Sequence, residues 1–344
     1  MIPPDGEPGP ASAPLDPFPP TAGSGGPLGT GTFTTEGRAA PALYVVSWLA
    51  TLAGGVVLFV SLQTGAGVAQ FVLFVVALAL LSLGLVGRAG SQAIERRAQG
   101  VRPYWGPSPA LVFLAFIPTA ALPLVLLGVP LQLVGMDIDG PLVAVLGLSV
   151  QVAVYVLLFR LVVVDTRALS WSEMHIRRPS VAALGELAFG AAWALPIIFV
   201  TGLISLVLVS AFGVTPDSPL PPAREPAGLV LNLIAGAILA PIGEELFFRG
   251  FATTAWVKGF GMTRGIIGGG LFFASIHALQ ITATNVTEGL ALAFIAFAVR
   301  IPIGLILGWL FIRRDTIWAP IGLHAAFNGI LLLLAETVSQ APVP

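Results

Sequence analysis

Apolar residues in this chain occur in continuous runs of about 20 positions, the length of helix that crosses the hydrocarbon core of a bilayer. The runs lack the alternation of barrel strands, and helices satisfy their own backbone groups in lipid. The pattern predicts an all-α, polytopic membrane bundle of about 8–9 transmembrane helices, eight if the first two runs form one membrane element. The nine runs are 42–62, 68–87, 109–134, 141–164, 182–211, 228–250, 265–284, 289–312 and 316–336.

The residues before the first run have a different character. Positions 1–40 are dense in Pro, Gly, Ser and Thr and contain few large apolar residues. Such a segment buries too little surface to offset its chain entropy, so we predict a disordered tail. The expected organisation is this tail, N-terminal transmembrane helices with a cytoplasmic connector over 41–181, a catalytic transmembrane domain over 182–336, and a short tail over 337–344.

Composition supports the membrane prediction and excludes several kinds of site. Hydrophobic residues make up 56% of 344 positions and charged residues 10%, a balance that a soluble domain of this length would not tolerate. The chain has no cysteine, which excludes disulfides and thiolate metal sites. A formal net charge of −1 gives no reason to expect a nucleic-acid partner.

Basic residues are concentrated in every second connection between the runs. By the positive-inside rule this predicts a cytoplasmic N-terminus and an outside C-terminus. Every basic residue except Lys258 is arginine, a bias that favours a bacterial source and therefore the bacterial plasma membrane. The orienting residues are Arg88, Arg96, Arg97 and Arg102, then Arg167, Arg177 and Arg178, then Lys258 and Arg264, then Arg313 and Arg314.

The last apolar runs contain polar and ionisable residues that a bilayer interior disfavours. Each ionisable group there costs several kcal/mol unless it faces a partner or a polar cavity, so a cluster of them predicts a functional site. These residues are Glu244, Glu245, Arg249, His277, His324 and Asn328.

Helical geometry predicts different surroundings for the two neighbouring carboxylates, Glu244 and Glu245. Glu245 and Arg249 are one turn apart and can pair, whereas Glu244 is rotated by about 100° and remains free. A paired carboxylate stays ionised, and a less compensated one in a low-dielectric site is suited to accept and return a proton. Pro241 frees a backbone carbonyl one turn earlier in the same helix.

Two kinds of chemistry are consistent with this cluster. A free Glu, a His from a second helix and a His/Asn pair from a third can activate water and stabilise a tetrahedral oxyanion, which is what amide hydrolysis requires. Alternatively, Glu244, His277 and His324 could bind zinc, with another carboxylate as the base. The spacing alone does not decide between them.

Three sequence motifs stand in order on successive predicted helices. They resemble the motifs of the CPBP family of intramembrane proteases, which includes type II CAAX prenyl endopeptidases and bacteriocin-processing or immunity proteins. The resemblance covers roughly 228–336, about a third of the chain, and every motif position is kept. The motifs are Glu244-Glu245-x-x-x-Arg249, Phe273-x-x-x-His277 and His324-x-x-x-Asn328.

The resemblance implies a membrane-embedded endopeptidase acting on a hydrophobic or membrane-anchored peptide. The implied roles are water activation for Glu244 and His277, oxyanion binding for His324 and Asn328, and organisation of the site for Glu245 and Arg249. We favour a mechanism that requires no cofactor because no HExxH pair is present, and zinc is the alternative. A non-catalytic scaffold or immunity protein of the same fold is the second functional hypothesis, and a proton-relay transporter is the third.

Overall fold

The chain folds into helices, as seen in a computed structural model that describes residues 35–101, 103–216, 223 and 225–339. No strand occurs in these residues, and eight of their helical stretches are long and apolar enough to cross a membrane. The all-α membrane prediction is confirmed. The helices are α1 (Pro41–Gln63), α2 (Val68–Ala98), α3 (Pro109–Leu133), α4 (Pro141–Phe159), α5 (Val181–Ala191), α6 (Ala194–Phe212), α7 (Pro226–Leu233), α8 (Ala240–Glu245), α9 (Thr254–Phe260), α10 (Met262–Ala278), α11 (Val286–Arg314) and α12 (Trp318–Ser339).

Most of the predicted tail lies outside the described residues, which begin at position 35. The compact unit that contains all the helices begins at Arg38. The guanidinium of Arg38 donates to both carboxylate oxygens of Glu95 in α2, at 2.9 and 2.8 Å. Arg38, within the segment predicted as tail, is thus held by a helix.

Several helix bounds differ from the apolar runs. α1 and α2 are two separate helices, and α2 continues eleven residues beyond the predicted end at 87. Arg88, Arg96 and Arg97 therefore lie in the helix and not in a connection. Arg, Gln, Glu and Ala are good helix formers, so the helix extends where the apolar run stops.

The fifth and seventh runs also differ from their predictions. The fifth is interrupted at Ala192 and Trp193, which separate α5 from α6. The seventh, predicted to reach residue 284, forms α10 and ends at Ala278, with 17 residues. The following residues instead lead into the cap of α11, where the Asn285 side chain accepts from the backbone N–H of Glu288 at 2.9 Å.

The helical stretch from 226 to 260 contains two π-helical segments, Ile234–Leu239 and Leu246–Thr253, on either side of α8. Pro241 lies in the first turn of α8 and has no backbone N–H. In an i→i+5 pattern the carbonyl of Gly236 would need that missing donor. The irregularity therefore leaves the Gly236 carbonyl free.

An aromatic cluster supports the second π-helical segment from the side of α3 and α4. Tyr155 of α4 stacks on Phe116 of α3 with ring centroids 3.9 Å apart. It also contacts Phe247 at 5.2 Å, and Phe247 in turn makes an edge contact with Phe113 at 5.4 Å. These rings are buried or partly buried, so the packing fixes the segment that follows Glu244 and Glu245.

α10 and α11 approach closely at two glycines. A Cβ added to Gly304 would lie 2.8 Å from the carbonyl oxygen of Gly270, which is too short for a side chain. The glycines at 268–270 thus serve helix packing, as small residues do between membrane helices. This contact brings α11 against the helix that contains His277.

The connector before α5 packs against the ends of later helices. Lys258 of α9 donates to the Glu173 carboxylate at 2.7 Å, and this hydrogen bond holds the pKa of Glu173 below its usual value. His175 Nδ1 lies 2.7 Å from an oxygen of Asp315 in the turn after α11. Met174 is fully buried. The connector is therefore a packed element of the protein.

Candidate active site

All six residues predicted from the sequence meet at one place. Glu244 and Glu245 end α8, and Arg249 follows in the adjoining π-helical segment. His277 lies in the last turn of α10, and α12 supplies His324 and Asn328. Contacts under 4 Å connect five of these residues, and Asn328 contacts the backbone of the same helical stretch. Three separate helical segments thus contribute to one site.

A buried network of three side chains is centred on Glu245. Its Oε1 atom accepts from Arg249 Nη1 at 2.9 Å and lies 2.7 Å from Nδ1 of His324. Arg249 also donates through Nη2 to the carbonyl of Gly304 at 3.3 Å. Glu245 and Arg249 are 0% and 1% exposed, so neither charge has access to water. Glu245 therefore holds both the arginine and the histidine ring in place.

Glu244 is partly exposed, unlike Glu245. Its Oε2 atom lies 3.6 Å from Nε2 of His277 and 3.8 Å from Nε2 of His324. This oxygen has no hydrogen-bond partner among the described residues. The side chains of Glu244 and His277 are 18% and 16% exposed, whereas the Oε2 atom of Glu244 is itself buried. The two adjacent glutamates thus have different surroundings.

The orientation of His277 follows from its backbone contact. Nδ1 lies 2.8 Å from the carbonyl oxygen of Phe273, which can only accept. Nδ1 therefore holds the hydrogen in the neutral ring, and Nε2 presents a lone pair toward Glu244. The Phe273 ring packs 4.4 Å from the imidazole and restricts its rotation.

His324 is oriented by Glu245 in the same way. Glu245 is ionised by its pairing with Arg249, so the short contact assigns a hydrogen to Nδ1 of His324. Nε2 then carries a hydrogen only in the doubly protonated ring. His324 can therefore donate from Nε2 when it is an imidazolium.

Asn328 is anchored to the irregular helix opposite it. Its Nδ2 atom donates to the carbonyl of Gly236 at 2.9 Å, the group that Pro241 leaves without a backbone donor. A primary amide has two N–H groups, so one hydrogen of Asn328 remains for another acceptor. The proline, the free carbonyl and the asparagine form one structural unit.

Two further residues near the site escaped the sequence analysis. Arg300 of α11 donates to the carbonyl of Ala296 at 3.1 Å and interacts electrostatically with Glu244. Tyr155 of α4 also interacts electrostatically with Glu244. The sequence feature that could have indicated Arg300 is its position as a single arginine within the apolar run 289–312. Tyr155 gave no signal, since a tyrosine in an apolar run is ordinary.

The zinc alternative requires Glu244, His277 and His324 to surround one point at about 2 Å. The two Nε2 atoms lie 3.6 and 3.8 Å from the same carboxylate oxygen, slightly wider than the roughly 3.3 Å between neighbouring ligands of a tetrahedral zinc ion. Among the residues that the structure describes, no group of three or more His, Asp or Glu residues is arranged to hold a metal ion. We derive no step through a metal, and both the cofactor-free mechanism and the zinc alternative stay predictions.

Comparison with known families agrees with the location of the site. Residues 226–330 match the family model described as type II CAAX prenyl endopeptidase Rce1-like. No curated protein and no solved structure matches the chain. The matched segment extends from α7 into α12 and contains all three motifs. Residues 226–330 are thus similar to the Rce1-like family of type II CAAX prenyl endopeptidases, in agreement with the resemblance of the three motifs to the CPBP family.

Proposed function

We propose that the protein is an intramembrane endopeptidase that hydrolyses a peptide bond in a hydrophobic or membrane-associated peptide. The main supporting observation is the pairing of Glu244 with His277. A carboxylate oxygen and an imidazole lone pair face each other at 3.6 Å, and both groups are acceptors. A water molecule can donate one hydrogen to each of them, which makes its oxygen nucleophilic.

Hydrolysis then proceeds by proton transfer through these two groups. The water oxygen bonds to the scissile carbonyl carbon while Glu244 and His277 take one proton from it. The same proton passes to the amide nitrogen as the carbon–nitrogen bond breaks. The products are a new carboxyl terminus and a free amine, and the site returns to its starting protonation state.

His324 and Asn328 provide the oxyanion site in this proposal. The negative charge on the carbonyl oxygen of the tetrahedral intermediate requires donors already held in position. His324 is held by Glu245 and Asn328 by the Gly236 carbonyl, so neither side chain needs to reorganise. Glu245 and Arg249 act as positioning residues for this arrangement.

The membrane setting is the second part of the proposal. Basic residues near alternate helix ends support a cytoplasmic N-terminus and insertion in a bacterial plasma membrane. An outside C-terminus requires that the 17-residue α10 crosses the bilayer in addition to the eight longer apolar stretches. The peptide would enter from the cytoplasmic side or laterally from lipid. Partial exposure of Glu244 and His277 supports access for water, which the reaction consumes.

The proposed activity is tested with purified protein in detergent and in liposomes. Wild type, Glu244→Gln and Glu225→Gln are incubated with a library of hydrophobic peptides, and products are identified by mass spectrometry. Glu225 is an exposed glutamate at the start of α7 and serves as the matched control. We expect defined cleavage products with wild type and Glu225→Gln and none with Glu244→Gln. Peptide binding without products from wild type would support the scaffold hypothesis instead.

A further inference from the structure

A cavity of about 480 Å³ lies at the C-terminal end of α2, and none of the proposed catalytic residues lines it. Arg97 of α2 contributes a guanidinium to the lining, and Trp105 contributes its ring from the chain before α3. Asp165 and Thr166 line the cavity from the residues that follow the π-helical segment Arg160–Val164 after α4. Three separate parts of the chain thus form one space that the proposed hydrolysis does not use.

The charges that line this cavity do not cancel. The Asp165 carboxylate is already paired with Arg160, whose Nε atom lies 2.8 Å from Oδ1. The guanidinium of Arg97 lies over the Trp105 ring, 5.2 Å from its centroid. Among the residues that the structure describes, Arg97 forms no ion pair within 4 Å. The cavity therefore presents one positive charge without a counter-charge, next to an indole whose N–H can donate.

The cavity lies where the surface of the membrane is expected. Asp165 directly follows the apolar run 141–164, and Trp105 precedes the run 109–134 by four positions. Tryptophan is enriched at this level of a bilayer. The basic residues at this end of α2 predict that it faces the cytoplasm, where anionic lipids give the membrane a negative surface potential. A lipid phosphate is therefore the anion that this position brings to Arg97.

The rest of the lining favours a lipid over a free phosphate ion. Ala93, Ile94 and Ala98 of α2 form an apolar wall beside Arg97, and Ile94 is 40% exposed. Such a wall can pack against the first carbons of an acyl chain, whereas a hydrated phosphate ion gains nothing from it. Arginine binds phosphate through parallel hydrogen bonds, and basic pockets between membrane helices on the cytoplasmic side are typical headgroup sites.

We propose that this cavity binds the headgroup of an anionic phospholipid, with the lipid phosphate on Arg97 and an acyl chain along Ile94 and Ala98. The site is independent of the proposed hydrolysis, because none of its residues takes part in that reaction. A lipid bound there contacts both α2 and the residues after α4. Because it binds the folded protein at a site that the unfolded chain lacks, the lipid raises the melting temperature.

The test measures lipid binding to the purified chain in detergent, by native mass spectrometry and by the rise in Tm. The proteins are wild type, Arg97→Gln, Ala98→Phe and the control Arg313→Gln, and all three substituted positions are exposed. Each is titrated with phosphatidylglycerol, with phosphatidylcholine of the same acyl chains, and with inorganic phosphate. Ala98→Phe fills the cavity and keeps every charge, whereas Arg313→Gln removes a positive charge near the end of α11.

We expect wild type and Arg313→Gln to bind phosphatidylglycerol about tenfold more tightly than phosphatidylcholine, whose choline group brings a second positive charge next to Arg97. Arg97→Gln should lose this preference because it lacks the guanidinium. Ala98→Phe should lose it because the headgroup has no space. Without lipid, the Tm of each variant should match that of wild type, since the substituted side chains are exposed.

Several results would overturn the proposal. Equal affinity of wild type for the two lipids would show that the protein does not recognise the charge of the headgroup. Equal losses in Arg97→Gln and Arg313→Gln would indicate general attraction to a basic surface. A preference for phosphatidylglycerol that survives in Ala98→Phe would place the lipid outside the cavity. Inorganic phosphate that displaces phosphatidylglycerol at equal concentration would assign Arg97 to a soluble phosphate.

Discussion

Oε1 of Glu245 lies 2.7 Å from Nδ1 of His324, so a carboxylate in α8 fixes a histidine in α12 across 79 positions of sequence. The same oxygen accepts from Arg249 at 2.9 Å. One buried atom therefore connects the ion pair of the first motif to the histidine of the third. The second motif contacts this unit through Glu244. The three motifs are parts of a single arrangement of charges.

The contributions of Glu245 and Arg249 to the stability of the fold are expected to depend strongly on each other. Removing one partner of a buried ion pair leaves the other charge uncompensated and costs about 3–5 kcal/mol. Arg249→Met and Glu245→Gln should each lower the thermal stability of the purified protein markedly. The double variant should be much less destabilised than the sum of the two, because it contains neither charge. Additive losses would show that the two side chains stabilise the fold independently.

Pro241 is expected to affect the reaction through Asn328. Pro241→Ala restores a backbone N–H that can bond the Gly236 carbonyl and compete with the Asn328 amide. We expect kcat to fall about tenfold while KM and thermal stability change little, since the helix gains a hydrogen bond. Pro130→Ala in α3 is the matched control and should leave kcat unchanged. An unchanged kcat in Pro241→Ala would exclude this coupling.

Hydrolysis is expected to be independent of a bound metal. The two Nε2 atoms face one carboxylate oxygen at 3.6 and 3.8 Å, separations that suit water activation. Activity should persist after prolonged treatment with a zinc chelator and dialysis, with the metal content measured in the same sample. Loss of activity with recovery on adding Zn²⁺ would instead assign a zinc centre to Glu244, His277 and His324.

The connector is expected to loosen in mild acid because of His175. Burial lowers the pKa of His175 below its usual value of 6.5, against the opposing effect of the nearby Asp315 carboxylate. The unfolded chain therefore binds the proton more readily, and stability rises with pH. This contribution is complete above about pH 6.5 and is lost as the pH falls toward the lower pKa of the folded protein. Thermal unfolding measured from pH 7.5 to 5.5 should show a smaller fall for His175→Gln than for wild type.

The comparison is between the slopes of the two pH profiles and not between single values. Glu173 provides an internal check, since its lowered pKa makes its stabilising contribution complete above about pH 4.5 and lost only below that value. Parallel pH profiles for wild type and His175→Gln would contradict the assignment to His175.

The sequence predicted those parts of the site that depend on local geometry. The pairing of Glu245 with Arg249 follows from their separation by one helical turn. In the structure, Nη1 of Arg249 lies 2.9 Å from Oε1 of Glu245. The free carbonyl created by Pro241 follows from the chemistry of proline. Both predictions needed only the residues within one helix.

Contacts between helices could not be derived in this way. The contact of His324 with Glu245 depends on how α12 packs against α8, which no spacing in the sequence specifies. The partner of Asn328 is a backbone carbonyl. Every residue has such a group, so the sequence contains no pattern that would identify this contact. Arg300 was missed because its neighbours form a strongly apolar run, and the run was interpreted as a membrane helix as a whole.

The measurement that tests the central claim most directly is kcat/KM of Glu244→Gln on a peptide that wild type cleaves. Glutamine keeps the shape of the side chain and removes its ability to take a proton from water. We expect a loss of at least about a hundredfold, within the range for removing a general base, with thermal stability and peptide affinity near those of wild type. A Glu244→Gln protein that cleaves within a few-fold of wild type would contradict water activation by Glu244.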